Sequence, residues 1–62
     1  MEYNIGDEVM IIYDELEPEY IGAIGEIVEK HFDLDYQIVL YKIKVDDEIL
    51  KGVATEDEIR PA

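Results

Sequence analysis

Between Tyr36 and Val45 the chain reads YQIVLYKIKV, with Val39, Tyr41, Ile43 and Val45 alternating with Leu40, Lys42 and Lys44. Period-two alternation sends successive side chains to opposite faces of an extended strand, so the first set faces a core and the second faces away. A strand must pair, and the rest of the chain supplies partners of the same kind. β-Branched and aromatic residues dominate the apolar positions, and turn residues interrupt them every ten or so. The segments read as strands over Asp7 to Tyr13, Ile24 to Phe32, Tyr36 to Val45 and Ile49 to Ala54, with a last short strand from Ile59. In the first, Val9, Ile11 and Tyr13 share a face opposite Met10 and Ile12.

Sixty-two residues make a single domain, residues 1–62, with a thin stability margin. There is no cysteine, so neither a disulfide nor a thiolate metal or redox site is available. Stability must come from a compact apolar core, and 48% apolar content rich in Ile, Val and Tyr supplies one.

The turns are acidic. Asp14 to Ala23 is a charged loop carrying Pro18, Asp33 to Asp35 joins the second and third strands, and Asp46 to Glu48 follows the third. Centring the middle turn on Leu34 sets a register with Ile27 opposite Tyr41 and Glu29 opposite Val39. The other face then pairs Glu26 with Lys42 and Val28 with Leu40. The terminal TEDE, Thr55 to Glu58, matches a capping box and predicts a single 3₁₀ turn before the last strand. Gly25 opens the second strand where a tightly curled sheet leaves no room for a side chain, and Gly22 suits a turn with positive φ. A phosphate-binding glycine loop is excluded, because no Lys-Ser/Thr and no helix follow.

In order, GDEVMII, GAIGEIVE, YKIKVDDE and EDEIRP resemble the small SH3-like barrels, including KOW-type domains and the small E-type barrel protein of photosystem I. Small proteins of bacterial and phage genomes share the pattern. The resemblance runs from Ile5 to Pro61 and implies an all-β fold: a small five-stranded SH3-like barrel with one short 3₁₀ turn before the last strand. Fold does not carry function. KOW domains meet RNA through basic loops, and the corresponding loops here are DELEPE, DLD and DDE. True SH3 domains use a Trp-containing groove for Pro-rich peptides, and this chain has no Trp.

Seventeen acids against five bases give a net charge of −12. That field repels nucleic acid and anionic membranes and attracts basic protein surfaces. No stretch approaches the roughly 20 apolar residues that span a bilayer, and the N-terminal MEYNIGDEV lacks signal-peptide character, so a cytoplasmic protein is expected. Chemistry is excluded by the residues at hand. There is no serine or cysteine nucleophile, Thr55 serves as a cap, and a small barrel leaves no walled pocket to tune a carboxylate. A lone His31 gives no metal set. DLDY lacks the glycine and distal glutamate of a calcium loop, and Asp46, Asp47 and Glu48 diverge. No catalytic residue, cofactor or metal site is expected.

The expected function is a non-catalytic protein-interaction module that binds a basic or mixed protein surface, without direct nucleic-acid or membrane binding. A second copy of the chain is a further candidate partner. The candidate contact residues are Asp14, Glu15, Glu17, Glu19 and Tyr20 of the first loop, with Tyr36. Tyr3, Tyr20 and Tyr36 are expected at strand ends or in loops, half-exposed, while Tyr13 and Tyr41 fall on core faces. Met10, Ile12 and Leu40 form a patch if they cluster in the open. The alternative function is a nucleic-acid mimic that blocks a DNA- or RNA-binding protein; it requires one continuous face of carboxylates. Self-repulsion of the acids predicts greater stability in moderate salt than in dilute buffer.

Overall fold

Val9, Ile11, Ile27, Tyr41, Ile43, Val45 and Ile59 bury their side chains in one cluster, closed at its ends by Tyr3 and Leu50. In the computed structural model, which describes residues 2–62, these residues come from a single antiparallel sheet. Its strands are β1 (Glu8–Ile11), β2 (Ile24–Asp33), β3 (Ile38–Val45), β4 (Glu48–Ile49) and β5 (Ile59–Pro61). They lie in the order β4-β3-β2-β1-β5. Two 3₁₀ turns, Pro18–Tyr20 and Glu56–Glu58, complete the elements. Among the described residues no second layer covers the apolar face, so the sheet curls around it, and the result is a globule of 29 × 22 × 18 Å. Its edge strands β4 and β5 are not paired with each other among the described residues.

The alternation in β3 is realised from Tyr41 onward, with Tyr41, Ile43 and Val45 buried and Lys42 and Lys44 on the other face, while Val39 is only partly buried against the core. Ile27 and Tyr41 are both fully buried. Tyr41 also takes a polar role, its Oη accepting a hydrogen bond from Tyr3 N at 2.9 Å, while the two rings meet edge to face at 5.7 Å. Tyr3 is therefore a core residue, 6% exposed, and not the half-exposed anchor expected from its terminal position.

Gly25 answers to the close approach of strands. A Cβ there would stand 2.5 Å from Ile43 Cγ2 and 2.9 Å from Lys44 O. Gly22 turns the chain into β2 with φ +92°, its N–H donating to Ile11 O at 2.7 Å. The two residues between β3 and β4, Asp46 and Asp47, both have positive φ, 49° and 67°. That is the twist-matched two-residue hairpin turn, which short polar side chains tolerate.

The central register differs from the expected one. Ile27 pairs with Ile43 and Glu26 with Lys44; beyond an irregularity at Val28, Glu29 pairs with Lys42 and Lys30 with Tyr41. Two local features cause the shift. Asp33 Oδ1 accepts from Asp35 N (2.9 Å) and Tyr36 N (3.3 Å), so the turn begins at Asp33 and is centred beyond Leu34. Gln37 completes it with φ 54°. Val28 is then the extra residue of a β-bulge. Acid still faces base on the outer face, one pair further along.

Three strand ends also move. β1 stops at Ile11 because Ile12 N and Tyr13 N both turn to Glu58 O, at 2.9 and 3.2 Å. Tyr13 thereby leaves the core face and is 52% exposed. β3 starts at Ile38 rather than Tyr36, which the turn takes up. The segment expected as a strand over Ile49 to Ala54 keeps only Ile49 in the ladder, with an isolated bridge from Ala54 to Tyr41. Lys42 Nζ explains the gap: it donates to the carbonyls of Leu50 (3.1 Å) and Lys51 (2.9 Å), holding that backbone off the sheet.

Candidate functional site

The curled sheet leaves a groove with an apolar floor. It lies between the first loop and the segment that follows β4, with a volume of about 350 Å³. Ile11, Tyr41, Ile43 and Leu50 form the floor, and Tyr13, Leu16 and Val53 form the walls. The wall residues are open to solvent, Leu16 at 69%.

Local chemistry builds these walls. Asp14 Oδ1 accepts from Leu16 N (3.1 Å) and Glu17 N (3.0 Å), folding DELE into a tight turn that pushes Leu16 outward. Glu17 Oε1 then accepts from Lys51 N at 2.7 Å and pins the loop to the opposite wall. Tyr20 packs against the core, and its hydroxyl donates to Glu48 Oε2 at 3.2 Å. The charge of Glu48, with the desolvation and hydrogen bond it brings, raises the Tyr20 phenol above its ordinary pKa. Gly52 keeps the groove open, since a Cβ there would meet Leu16 Cδ1 at 3.1 Å. At the far rim, Glu58 closes the capping box and Glu58 Oε1 accepts from Thr55 N at 2.9 Å.

Charge is distributed unevenly around this groove. Residues 14–20, 46–48 and 56–58 carry ten of the seventeen acids and no base. The contacts just described tie the first loop to Glu48, Lys51 and, through Tyr13, to Glu58, so the three acidic segments gather at one end of the molecule. Four of the five bases, Lys30, Lys42, Lys44 and Arg60, lie on the strands. Lys30 is itself taken up in an ion pair with Glu2, whose hydrogen bond raises the lysine pKa while lowering the carboxylate's.

Of the residues singled out from the sequence, Asp14 and Glu15 line the groove. Glu17 and Tyr20 stand behind it as fasteners, and Glu19 is exposed on the first 3₁₀ turn. Tyr36 lies apart, 77% exposed in the turn between β2 and β3. Met10, Ile12 and Leu40 do not share a patch. Met10 lies between Ile24 and Arg60 while Leu40 faces His31, and the chain has left the ladder by Ile12. The groove-forming Tyr13, Leu16, Gly52 and Val53 are absent from the sequence-based selection. Leu16 had a signal, as the one apolar residue inside DELEPE.

Among the described residues, no three acidic or histidine side chains converge as a metal ion would require, and no helix is long and apolar enough to cross a membrane. Compared with protein-family models, curated proteins and solved structures, the chain matches none.

Proposed function

We propose that the chain is a non-catalytic protein-interaction module of the SH3-like kind. Its groove takes an extended segment of a basic protein, with one apolar side chain seated between lysines or arginines. The observation that carries this reading is an apolar floor edged by the groove-lining acids Asp14, Glu15 and Glu58, which belong to the ten-acid segments that the loop contacts bring together. The acids draw a cationic chain and set its orientation, while affinity comes from the buried apolar side chain, about 1.5–3 kcal/mol for a leucine. The nucleic-acid mimic is less well supported. It needs carboxylates free on a continuous face, and those of Asp14, Glu17 and Glu58 are engaged in hydrogen bonds within the chain.

The test is titration of a synthetic peptide of alternating lysine and leucine, by calorimetry, in dilute buffer and in about 0.5 M salt. The module reading expects binding that survives the salt in weakened form and drops about tenfold in Leu16→Ala. Binding abolished by salt and indifferent to Leu16 would overturn it in favour of the mimic.

A further inference from the structure

The groove occupies a seam in the curled sheet. One side of it comes from the chain after β4, through Leu50, Gly52, Val53 and Ala54, and the other from Ile11, Tyr13 and Glu58. The edges that meet there, β4 and β5, are not paired with each other among the described residues. Lys42 helps to hold the seam open. Its Nζ takes the Leu50 and Lys51 carbonyls, and the chain rejoins β3 only at Ala54. Between those points Gly52 and Val53 make no backbone hydrogen bond among the described residues.

The neighbours of Val53 fix the direction of its backbone groups. Ala54 N donates to Tyr41 O at 2.9 Å and Ala54 O accepts from Tyr41 N at 2.8 Å, so Ala54 turns toward β3. In extended backbone the flanking residues turn their groups the other way. Thr55 does so: it is extended, with φ −89° and ψ 167°, and its N–H goes to Glu58 Oε1 at 2.9 Å. Glu58 lines the groove. Val53 shares the parity of Thr55, lines the groove itself and is 48% exposed. Its N–H and C=O thus offer a donor and an acceptor on the groove side.

Resting on the module reading above, we propose that the basic segment enters this seam as a strand and exchanges N–H and C=O bonds with Val53. Main-chain bonds hold such an added strand, and its alternate side chains carry the selectivity. One apolar side chain seats on the floor formed by Ile11, Tyr41, Ile43 and Leu50. Charge selects the occupant, because Asp14, Glu15 and Glu58 line the groove and no base does. The backbone requirement selects its shape. A helix spends its N–H groups internally, and a run of prolines has none to give Val53 O.

The probe is a lysine peptide with a single central leucine, which fixes the register. It is titrated against the intact chain unmodified and with each backbone nitrogen methylated in turn, and solvent exchange of the Val53 amide is followed by NMR. Methylation at one position is expected to weaken binding about tenfold, and at the two adjacent positions by less than about threefold. Saturating unmodified peptide slows Val53 exchange about tenfold or more and leaves Leu34 unchanged. Binding that depends on Leu16 but shows no such single position overturns strand entry and leaves the module reading intact. Unchanged Val53 exchange at saturation does the same. Failure of the unmodified peptide to bind overturns both.

Discussion

At the groove end, strands, turns and loop are packed on the core and tied together by Glu17–Lys51, Tyr20–Glu48 and the Thr55–Glu58 cap. At the hairpin arm, two strands pair with each other and little else, and the tip side chains of Leu34 and Tyr36 stand in solvent. Acids are denser at the well-packed end, with ten on three segments, than at the arm, where Asp33 and Asp35 mark the turn. The contrast has a physical logic. Close-set carboxylates repel one another, and a region with many cross-links and a filled core tolerates that cost. A two-stranded arm has little core to offset it.

If that division is real, core and arm substitutions must differ widely in effect. Ile27→Ala is expected to cost about 2–5 kcal/mol, a large part of the total stability of a domain this small. Leu34→Ala should change stability by less than about 0.5 kcal/mol. Urea unfolding measures both, and comparable losses would break the comparison.

Next in size is Gly25→Ala, which forces a Cβ against Ile43 and the Lys44 carbonyl. Overpacking of this kind costs about 1–3 kcal/mol, read as a lower melting temperature. An unchanged melt would mean that β2 and β3 can separate without penalty.

Gly52→Ala sharpens the comparison within the groove. Its Cβ presses on Leu16, which is exposed and free to yield, so stability should shift by less than about 0.5 kcal/mol. Peptide affinity should nevertheless fall several-fold as the groove narrows. Equal affinity would place the binding surface elsewhere.

The smallest effect concerns Tyr20. Its pKa is raised from the ordinary 10.0 by Glu48, so the neutral phenol is favoured in the folded state. The contribution is whole below the unfolded value and is lost as pH rises through the folded one. Wild type should therefore lose slightly more stability above pH 10 than Tyr20→Phe. Because the group is solvent-exposed the difference is small, and its reversal would argue against the Glu48 contact.

Much of the core could be read from local pattern. Period-two alternation identified Tyr41, Ile43 and Val45, adjacency to a curled sheet explained Gly25, and TEDE announced its own cap. The register could not be read that way. The Asp33 side chain decides where the turn begins, and the Val28 bulge moves the pairing again. The groove was less legible still, since its walls meet through long-range contacts such as the bond between Glu17 and Lys51, 34 residues apart. An acidic loop reads as a charged surface; only folding reveals that its single leucine faces an opening kept clear by a distant glycine.

Amide shift mapping during titration with the lysine–leucine peptide is the most direct examination of the acid-rimmed groove. The largest displacements should fall on Leu16, Gly52 and Val53, with Leu34 and Tyr36 unmoved at the same peptide concentration. Displacements concentrated on the hairpin tip, or spread evenly over acidic positions with the groove silent, would contradict it.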